Sequence, residues 1–361
     1  MRRTSIRLSD GRELIYFDHD DRPTRTAVDS RGLASGSSTQ GTMRRDALTG
    51  EWVSIAGHRQ DRIFLPDASA CPLCPTTAGN LSEIPESDYD VVVFENRFPS
   101  FMQGSRSEAL VDIGDEAPAF GRCEVVSYTS RHDASIADLD DASMALVMSA
   151  WIDRTRELEQ MPGIRYVFVF ENRGADIGVT LHHPHGQIYA YPFIPPSVQA
   201  ILDRAASQDD PRLIEQVVER EMTDGQRIVF QDEHWVAFVP FAARWPFEVQ
   251  IHPVKERRSL TELSIDEQLS FNAFYPRFIR ALDSLFAMPM PYMAGWHQRP
   301  AHATADEAAS SRLFLRLISN RRAADKLKYL ASSESLMGAF IGDVVPEDAA
   351  TRIRAAWEST T

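Results

Sequence analysis

Three histidines fall within four residues in the stretch LHHPHGQIYAY, Leu181 to Tyr191. If this run is a strand, alternation puts His183, His185, Gln187, Tyr189 and Tyr191 on one face, lining up two imidazoles and an amide. A neutral imidazole is a good nucleophile toward phosphorus, and with an ordinary pKa of about 6.5 it is largely neutral near physiological pH. A neighbouring amide can donate to a non-bridging phosphate oxygen as charge builds there. Gly186 between them would let another backbone or a ligand approach closely. The competing reading is a polar strand face whose histidines are satisfied by neighbours.

Upstream, CPLC places Cys71 and Cys74 in a Cys-x-x-Cys knuckle, a spacing that lets two thiolates reach one tetrahedral metal. A thioredoxin-like redox pair is the rival reading, but no βαβ pattern surrounds the motif, and Pro72 and Pro75 favour a rigid loop. Completing a metal site needs two more ligands, for which His132 and His183 are candidates. Cys123 reads as a small buried hydrophobe. Arg59 and Arg62 of HRQDR could clamp a phosphate or form a solvated charged surface. The tripeptide ENR occurs twice, so Asn96 and Asn172 each come at a strand end, where a short amide binds sugar hydroxyls or caps a turn.

These residues need elements to hold them. Val91 to Phe94 reads as a buried strand, DASMALVMSAWIDRTRELEQM as an amphipathic helix and IRYVFVFEN as a strand rich in β-branched and aromatic residues. Residues 24 to 42, rich in Ser, Thr and Gly, read as a mobile segment joining an N-terminal arm to a body that begins near Met43, and 101 to 122 as an insertion loop. An internal repeat organises the rest: EVVSYTSRHDASIADLDDAS from Glu124 matches EVQIHPVKERRSLTELSIDE from Glu248, an offset of 124 (248 minus 124). Arg97-Phe98-Pro99 is echoed by Arg244-Trp245-Pro246, and each copy runs on into a helix-like segment, Met-Pro and a β-like run. Strands interleaved with one long helix per copy predict an α+β protein with mainly antiparallel sheets.

Composition bounds the function. The chain has 361 residues, 43% hydrophobic and 25% charged, with a formal charge of −14. It holds no apolar run of the roughly 18 residues a membrane helix needs. A polyanion such as nucleic acid would be repelled unless a local basic patch reversed the field, so bound phosphate should sit in a small arginine-lined site. Three cysteines are too few for a secreted disulfide framework, and an Asp follows the N-terminal arginines where a signal peptide would need an apolar run, so the expectation is cytoplasmic.

From about Met43 to Arg354 the chain resembles the galactose-1-phosphate uridylyltransferase family of the histidine-triad superfamily. The resemblance is carried by DALTGEWVSIAGHRQDR, CPLC, FENRFP, FENRGADIGVTLHHPHGQIYA, PYMAGWH and KLKYLASSES. It implies duplicated histidine-triad-like modules with an open, mainly antiparallel sheet flanked by helices, divided as an arm and linker (1–42), a catalytic module (43–196) and a second module (197–361). It also implies a homodimer with shared active sites. By position, His185 would be the nucleophile that takes UMP from a UDP-sugar, and Gln187 would bind the phosphoryl oxygen. Cys71, Cys74, His132 and His183 would hold one zinc per subunit. Asn96 and Phe98 would hold uridine, Asn172 and Gly178 would lie near the phosphates and ribose, and Arg59 and Arg62 would bind phosphate. Lys328 and Glu334 would contact the sugar-1-phosphate across the dimer. The implied reaction moves UMP between UDP-glucose and galactose-1-phosphate in ping-pong fashion.

The sequence departs from the family pattern in its second half. Leu313, Phe314 and Leu315 stand where many members place His-x-His ligands, although His297 remains, so no second metal is expected. Val179 replaces a Cys beside the phosphate, and Ser333 and Phe340 replace Tyr and Gln around the sugar. The protein could therefore use another sugar-1-phosphate or another nucleotide such as ADP-glucose, or be a phosphorylase in which phosphate is the acceptor. A nucleotide-sugar-binding protein without catalysis is the reading from another class.

Overall fold

Residues 1–34, 40–57, 66–104 and 115–360 are described by the computed structural model. The first half runs β1 (Arg2–Arg7), β2 (Glu13–Asp18), β3 (Thr42–Arg45), β4 (Trp52–Ile55), β5 (Val91–Glu95), β6 (Glu116–Pro118), β7 (Arg122–Ser127), α1 (Asp141–Glu159), β8 (Tyr166–Arg173) and β9 (His185–Tyr191). Helices α2 (Pro196–Ser207) and α3 (Leu213–Asp224) lead to β10 (Ile228–Gln231), β11 (Trp235–Phe238), β12 (Val249–Pro253), α4 (Ile265–Ser284) and β13 (Tyr292–His297). The chain ends with α5 (Ala305–Ala309), β14 (Phe314–Ile318), β15 (Arg321–Ala323), β16 (Lys326–Leu327), α6 (Ser332–Met337) and α7 (Pro346–Ser359).

Eleven strands form one antiparallel sheet in the order β1-β2-β5-β7-β9-β8-β13-β14-β12-β11-β10. The order is a palindrome. Outward from the β8/β13 junction, β9 answers β14, β7 answers β12 and β5 answers β11. Helices α1 and α4 lie on one face of this sheet. Helix α1 starts because the Asp140 side chain accepts from the Ser143 backbone N–H at 2.8 Å, and α4 because Ser264 and Glu267 form a capping box. Their apolar faces bury Met144, Val147, Met148, Trp151, Phe271, Phe274 and Phe278 against the sheet. Trp296 of β13 sits between Trp151 and Trp235, with ring centroids 6.2 and 6.1 Å away. The α+β class with a mainly antiparallel sheet is as the sequence predicts.

Three expectations change. The body does not begin near Met43: β2 pairs with β5, and Leu14 to Phe17 are fully buried. The Ser/Gly-rich stretch after it is pinned over its described part, because Arg25 forms a buried ion pair with Asp18 and Arg31 pairs with Asp29 at 2.8 Å and with Glu83 at 2.9 Å. Composition could not reveal these pairs, since each arginine's partner is fixed only by the fold. Within 101 to 122, Glu116–Pro118 forms β6, which joins β3 and β4 in a small sheet.

The repeat also needs one adjustment. In β7, Glu124 meets Arg154 of α1 at 2.8 Å, so it faces the helices, whereas in β12 the helix-side core takes Val249 and Ile251 and leaves Glu248 on the other face. Aligning Glu124 with Glu248 therefore turns every side chain of the strand over. The ladders give the correct offset. Val125 lies across from Phe94 and Gln187, and Gln250 lies across from Phe238 and Arg316, so Val125 answers Gln250. The offset is 125 in this strand and returns to 124 at the short 3-10 turns Ile136–Asp138 and Leu260–Glu262.

Candidate active site and metal centre

β9 is an interior strand of the sheet, flanked by β7 and β8. Its alternation is as predicted: His185, Gln187, Tyr189 and Tyr191 are half-buried on one face, and Gly186, Ile188 and Ala190 are buried on the other. His183 precedes the strand, separated from it by Pro184, and turns into a buried cluster instead. Tyr189 and Tyr191 pack edge-on against Phe101 and take no part in the site. The close approach expected at Gly186 is made by neighbouring protein atoms, a backbone among them. A Cβ there would lie 1.9 Å from the Tyr128 hydroxyl and 2.8 Å from the Phe170 carbonyl, so the glycine admits a neighbouring tyrosine, not a ligand.

His185 has an assigned tautomer. Its Nδ1 is 2.7 Å from the backbone carbonyl of His183, an obligate acceptor, so Nδ1 carries the proton and donates it there. Nε2 is then the unprotonated nitrogen. His185 and Gln187 line a cavity of about 220 Å³ together with Asn96, Arg97, Phe98, Val125, Leu181 and, from the N-terminal segment, Arg31. Gln187 Oε1 is buried and makes no hydrogen bond among the described residues. Asn96 caps the turn, its Oδ1 accepting from the Phe98 backbone N–H at 2.9 Å, and it lines the cavity.

The other expected site residues are placed as follows. The register that pairs Glu171 with Gly186 brings Asn172 across from His185 at the end of β8. Gly178 ends the turn Ala175–Ile177 in the left-handed region at φ 82°. Neither lines the cavity. Arg59 and Arg62 lie outside the described residues. Lys328 and Glu334 are buried and paired with each other at 2.8 Å, and Lys328 also meets Asp343 at 3.3 Å, away from the His185 cavity. Arg31, Asn80 and Glu83 line the cavity but carried no sequence signal.

Cys71, Cys74, His132 and His183 present one donor atom each, all within 4.8 Å of one another. Cys74 Sγ lies 3.3 Å from His132 Nδ1 and 3.5 Å from His183 Nδ1. His183 Nε2 is 2.8 Å from the Thr129 carbonyl, so it holds the proton and leaves the Nδ1 lone pair aimed at the thiols. Burial pushes His183 down to about 4, keeping it neutral, and burial beside Cys71 pushes the Cys74 thiol up to about 12. Two thiols and two imidazoles so packed fit a soft or borderline divalent cation, whose charge would reverse the thiol shift. The cluster could hold a metal ion two residues from His185.

In the second half, β14 presents Phe314 where His185 stands in the first. Phe314 is stacked between His297, at 4.4 Å, and His252, at 4.8 Å. Burial pushes His297 down to about 3.

Comparison with known proteins agrees with this geometry. Residues 35–195 match the N-terminal domain of galactose-1-phosphate uridyl transferase, and residues 200–359 match its C-terminal domain. The galactose-1-phosphate uridylyltransferase of Streptomyces lividans is 45% identical over 307 residues, covering 83% of this chain and 81% of that protein. The Thermotoga maritima enzyme of the same name is 36% identical over 86% of this chain and 97% of its own. A solved uridylyltransferase structure superposes with a TM-score of 0.76 at 32% identity, covering 88% of this chain and 99% of that one. With both domain matches together spanning nearly the whole chain, the chain belongs to the galactose-1-phosphate uridylyltransferase family.

Proposed function

We propose that the protein moves UMP between UDP-glucose and galactose-1-phosphate by double displacement on His185. The observation that carries this is the 2.7 Å hydrogen bond from His185 Nδ1 to the His183 carbonyl, which leaves Nε2 as the attacking nitrogen in a cavity that Gln187 also lines. Nε2 gives its lone pair to the α-phosphorus. The bond from that phosphorus to the bridging oxygen breaks, and glucose-1-phosphate leaves with the electron pair. The imidazole becomes cationic and keeps its Nδ1 proton on the His183 carbonyl, so no proton has to move in this step. An oxygen of the incoming galactose-1-phosphate then displaces the imidazole from phosphorus, restoring it. Gln187, turned with its amide N–H toward the phosphoryl oxygen, stabilises the charge built there. Asn96 and Phe98 hold the uridine, Asn172 and Gly178 approach the phosphates and ribose, and Arg59 and Arg62 bind phosphate.

Zinc is the ion proposed for Cys71, Cys74, His132 and His183, one per subunit, because two thiolates with two imidazoles is a structural zinc set. Bound there, zinc supplies charge and rigidity, fixing the His183 backbone whose carbonyl orients His185. The chain is proposed to work in the cytoplasm as a homodimer of two-module subunits, divided at 43–196 and 197–361, with the arm 1–42 adding β1 and β2 to the first module. Exposed Tyr329, Leu336, Met337 and Ile341 on the tail favour association, and across such a dimer Lys328 and Glu334 would meet the sugar-1-phosphate. Ser333 donates to the Ala339 carbonyl at 3.0 Å and Phe340 lies under Arg244, so neither presents the polar group to a sugar that family members use. That favours, as the second reading, a different sugar-1-phosphate acceptor.

The test is the intact mass after brief exposure to UDP-glucose without acceptor, quenched in alkali because phosphoramidates are acid-labile. A UMP-sized adduct, absent in His185→Ala, is the expected result. An adduct that persists in His185→Ala, or none while UDP-glucose binds, would overturn the proposal. A panel of sugar-1-phosphates added to the adduct then identifies the acceptor.

A further inference from the structure

The palindromic sheet means that the catalytic cavity has a counterpart. By the ladder register, Phe94, Val125 and Gln187 answer Phe238, Gln250 and Arg316. One alternation further along, His185, which lies across from Ser127, answers Phe314, which lies across from His297. Phe238, Gln250, Phe314, Arg316 and His297 line a cavity of about 560 Å³ on the sheet face away from α1 and α4, closed on one side by α2 and α3. Its size is that of a small-molecule site. At the positions that answer His185 and Gln187 it has Phe314 and Arg316.

The lining has two characters. Ile201, Leu213, Ile214, Val217, Phe238 and Phe314 form an apolar wall that ends in the exposed Phe241. Arg204, Arg244 and Arg316 stand around it in a chain whose formal charge is −14. Arg316 is held by the buried Glu248 at 2.8 Å, and the same carboxylate accepts from the Arg244 backbone N–H at 2.8 Å, so one acidic residue positions two of the three arginines. Arg244 and Arg204 form no ion pair with a carboxylate among the described residues, and both are exposed; the Arg244 guanidinium rests 4.9 Å over the Phe340 ring. An aromatic ring against the apolar wall with a phosphate at the arginines satisfies both characters.

We infer that this cavity binds a nucleoside monophosphate without reacting with it, as a second site distinct from the one lined by His185. The inference rests on the cavity and not on the proposed chemistry. It is tested by titration calorimetry of the full-length protein with UMP and AMP. Wild type should take up two UMP per chain, and Arg244→Ala should weaken one of the two sites at least tenfold while the initial rate of uridylyl transfer stays within twofold. Arg316→Ala would strip the buried Glu248 of its partner and so is not the primary variant. Ala200→Trp, on an exposed position of α2 that lines the cavity, fills the same space and should remove the same site. If UMP binds only in the His185 cavity, the Arg244→Ala and Ala200→Trp titrations will match wild type for both nucleotides, and the inference fails. A single site per chain that Arg244→Ala removes would support the inference and instead count against the proposed reading of the His185 cavity.

Discussion

Gly186 is the place where strand β9 tolerates least. An added Cβ would sit 1.9 Å from the Tyr128 hydroxyl, 2.9 Å from Tyr128 Cζ and 2.8 Å from the Phe170 carbonyl, and two of these neighbours are a buried ring and a backbone, not a flexible side-chain tip. Gly186→Ala should therefore force β9 away from β8, at a cost near the upper end of ordinary overpacking, about 3 kcal/mol. Tyr128→Phe removes the closest atom. The buried Tyr128 hydroxyl makes no hydrogen bond of ordinary geometry among the described residues, so that change alone should cost less than about 1 kcal/mol. In the double variant the nearest remaining contacts are at 2.8 and 2.9 Å, so about 1–2 kcal/mol of the loss should return, an interaction well above the uncertainty of a double-mutant cycle. Urea unfolding of the four proteins measures this. Activity should follow, because a shift near 1 Å in a reacting group can cost about 100-fold in rate. If Gly186→Ala unfolds at the wild-type midpoint, or if its loss is the same with Phe at 128, the close contact with Tyr128 is not what demands glycine.

Other outcomes follow from charges and ligands. Glu124 is fully buried; burial opposes its charge, but Arg154 and Arg122 outweigh that and hold its pKa below the usual value, so Glu124→Gln should cost about 3–5 kcal/mol in denaturant unfolding. The stabilisation from Glu124 is present above its unfolded pKa and is lost as pH falls through the lowered folded one. Glu171 runs the other way. Burial raises its pKa to about 7 beneath the Tyr292 hydroxyl at 2.9 Å, so the folded state binds its proton more tightly than the unfolded state does. Its stabilising contribution is full below about pH 4.5 and is lost as pH rises to about 7, roughly 3 kcal/mol in all. Glu171→Gln should remove that part of the pH dependence and be more stable than wild type at pH 8; equal stability there would sink the assignment. Dialysis against a strong chelator, or Cys74→Ser, should lower the thermal midpoint by roughly 5–10 °C and release one metal ion per chain by elemental analysis. A metal-free protein with an unchanged midpoint would show that the cluster needs no ion.

Much of the site could be read from the sequence because its chemistry is local. His185, Gly186 and Gln187 are set by the two-residue period of one strand, and Cys71 and Cys74 by one loop. His132 joins the cluster from 58 residues beyond Cys74, and here the sequence offered only a candidate. What it could not offer were residues whose role depends on pairing between distant segments. Arg31 reaches the His185 cavity because Asp29 and Glu83 hold it, and Glu83 lies across a fold that composition does not encode. Strand β2 was missed for a related reason: it is buried nearly throughout, so it lacks the alternation that announces a strand.

The repeat illustrates how sequence similarity and structural equivalence separate. Glu-Val at 124 and 248 is a true identity in the text of the chain but joins residues on opposite faces of the sheet. One residue is lost between the strand and the 3-10 turn in the second copy, and a strand cannot absorb such a loss without turning over, whereas a loop can. Once the ladders set the offset to 125, the second half is no longer a copy in which ligands have merely been erased. Phe314 takes the place of His185, Arg316 takes the place of Gln187, and Glu248 faces the cavity, where it holds Arg316, instead of tying a helix to the sheet as Glu124 does. These changes act together, since the arginine needs the carboxylate to be held and the carboxylate needs the arginine to be buried. A cavity kept open by such a pair has a defined chemistry of its own, and the Arg244→Ala titration reads whether that chemistry is used.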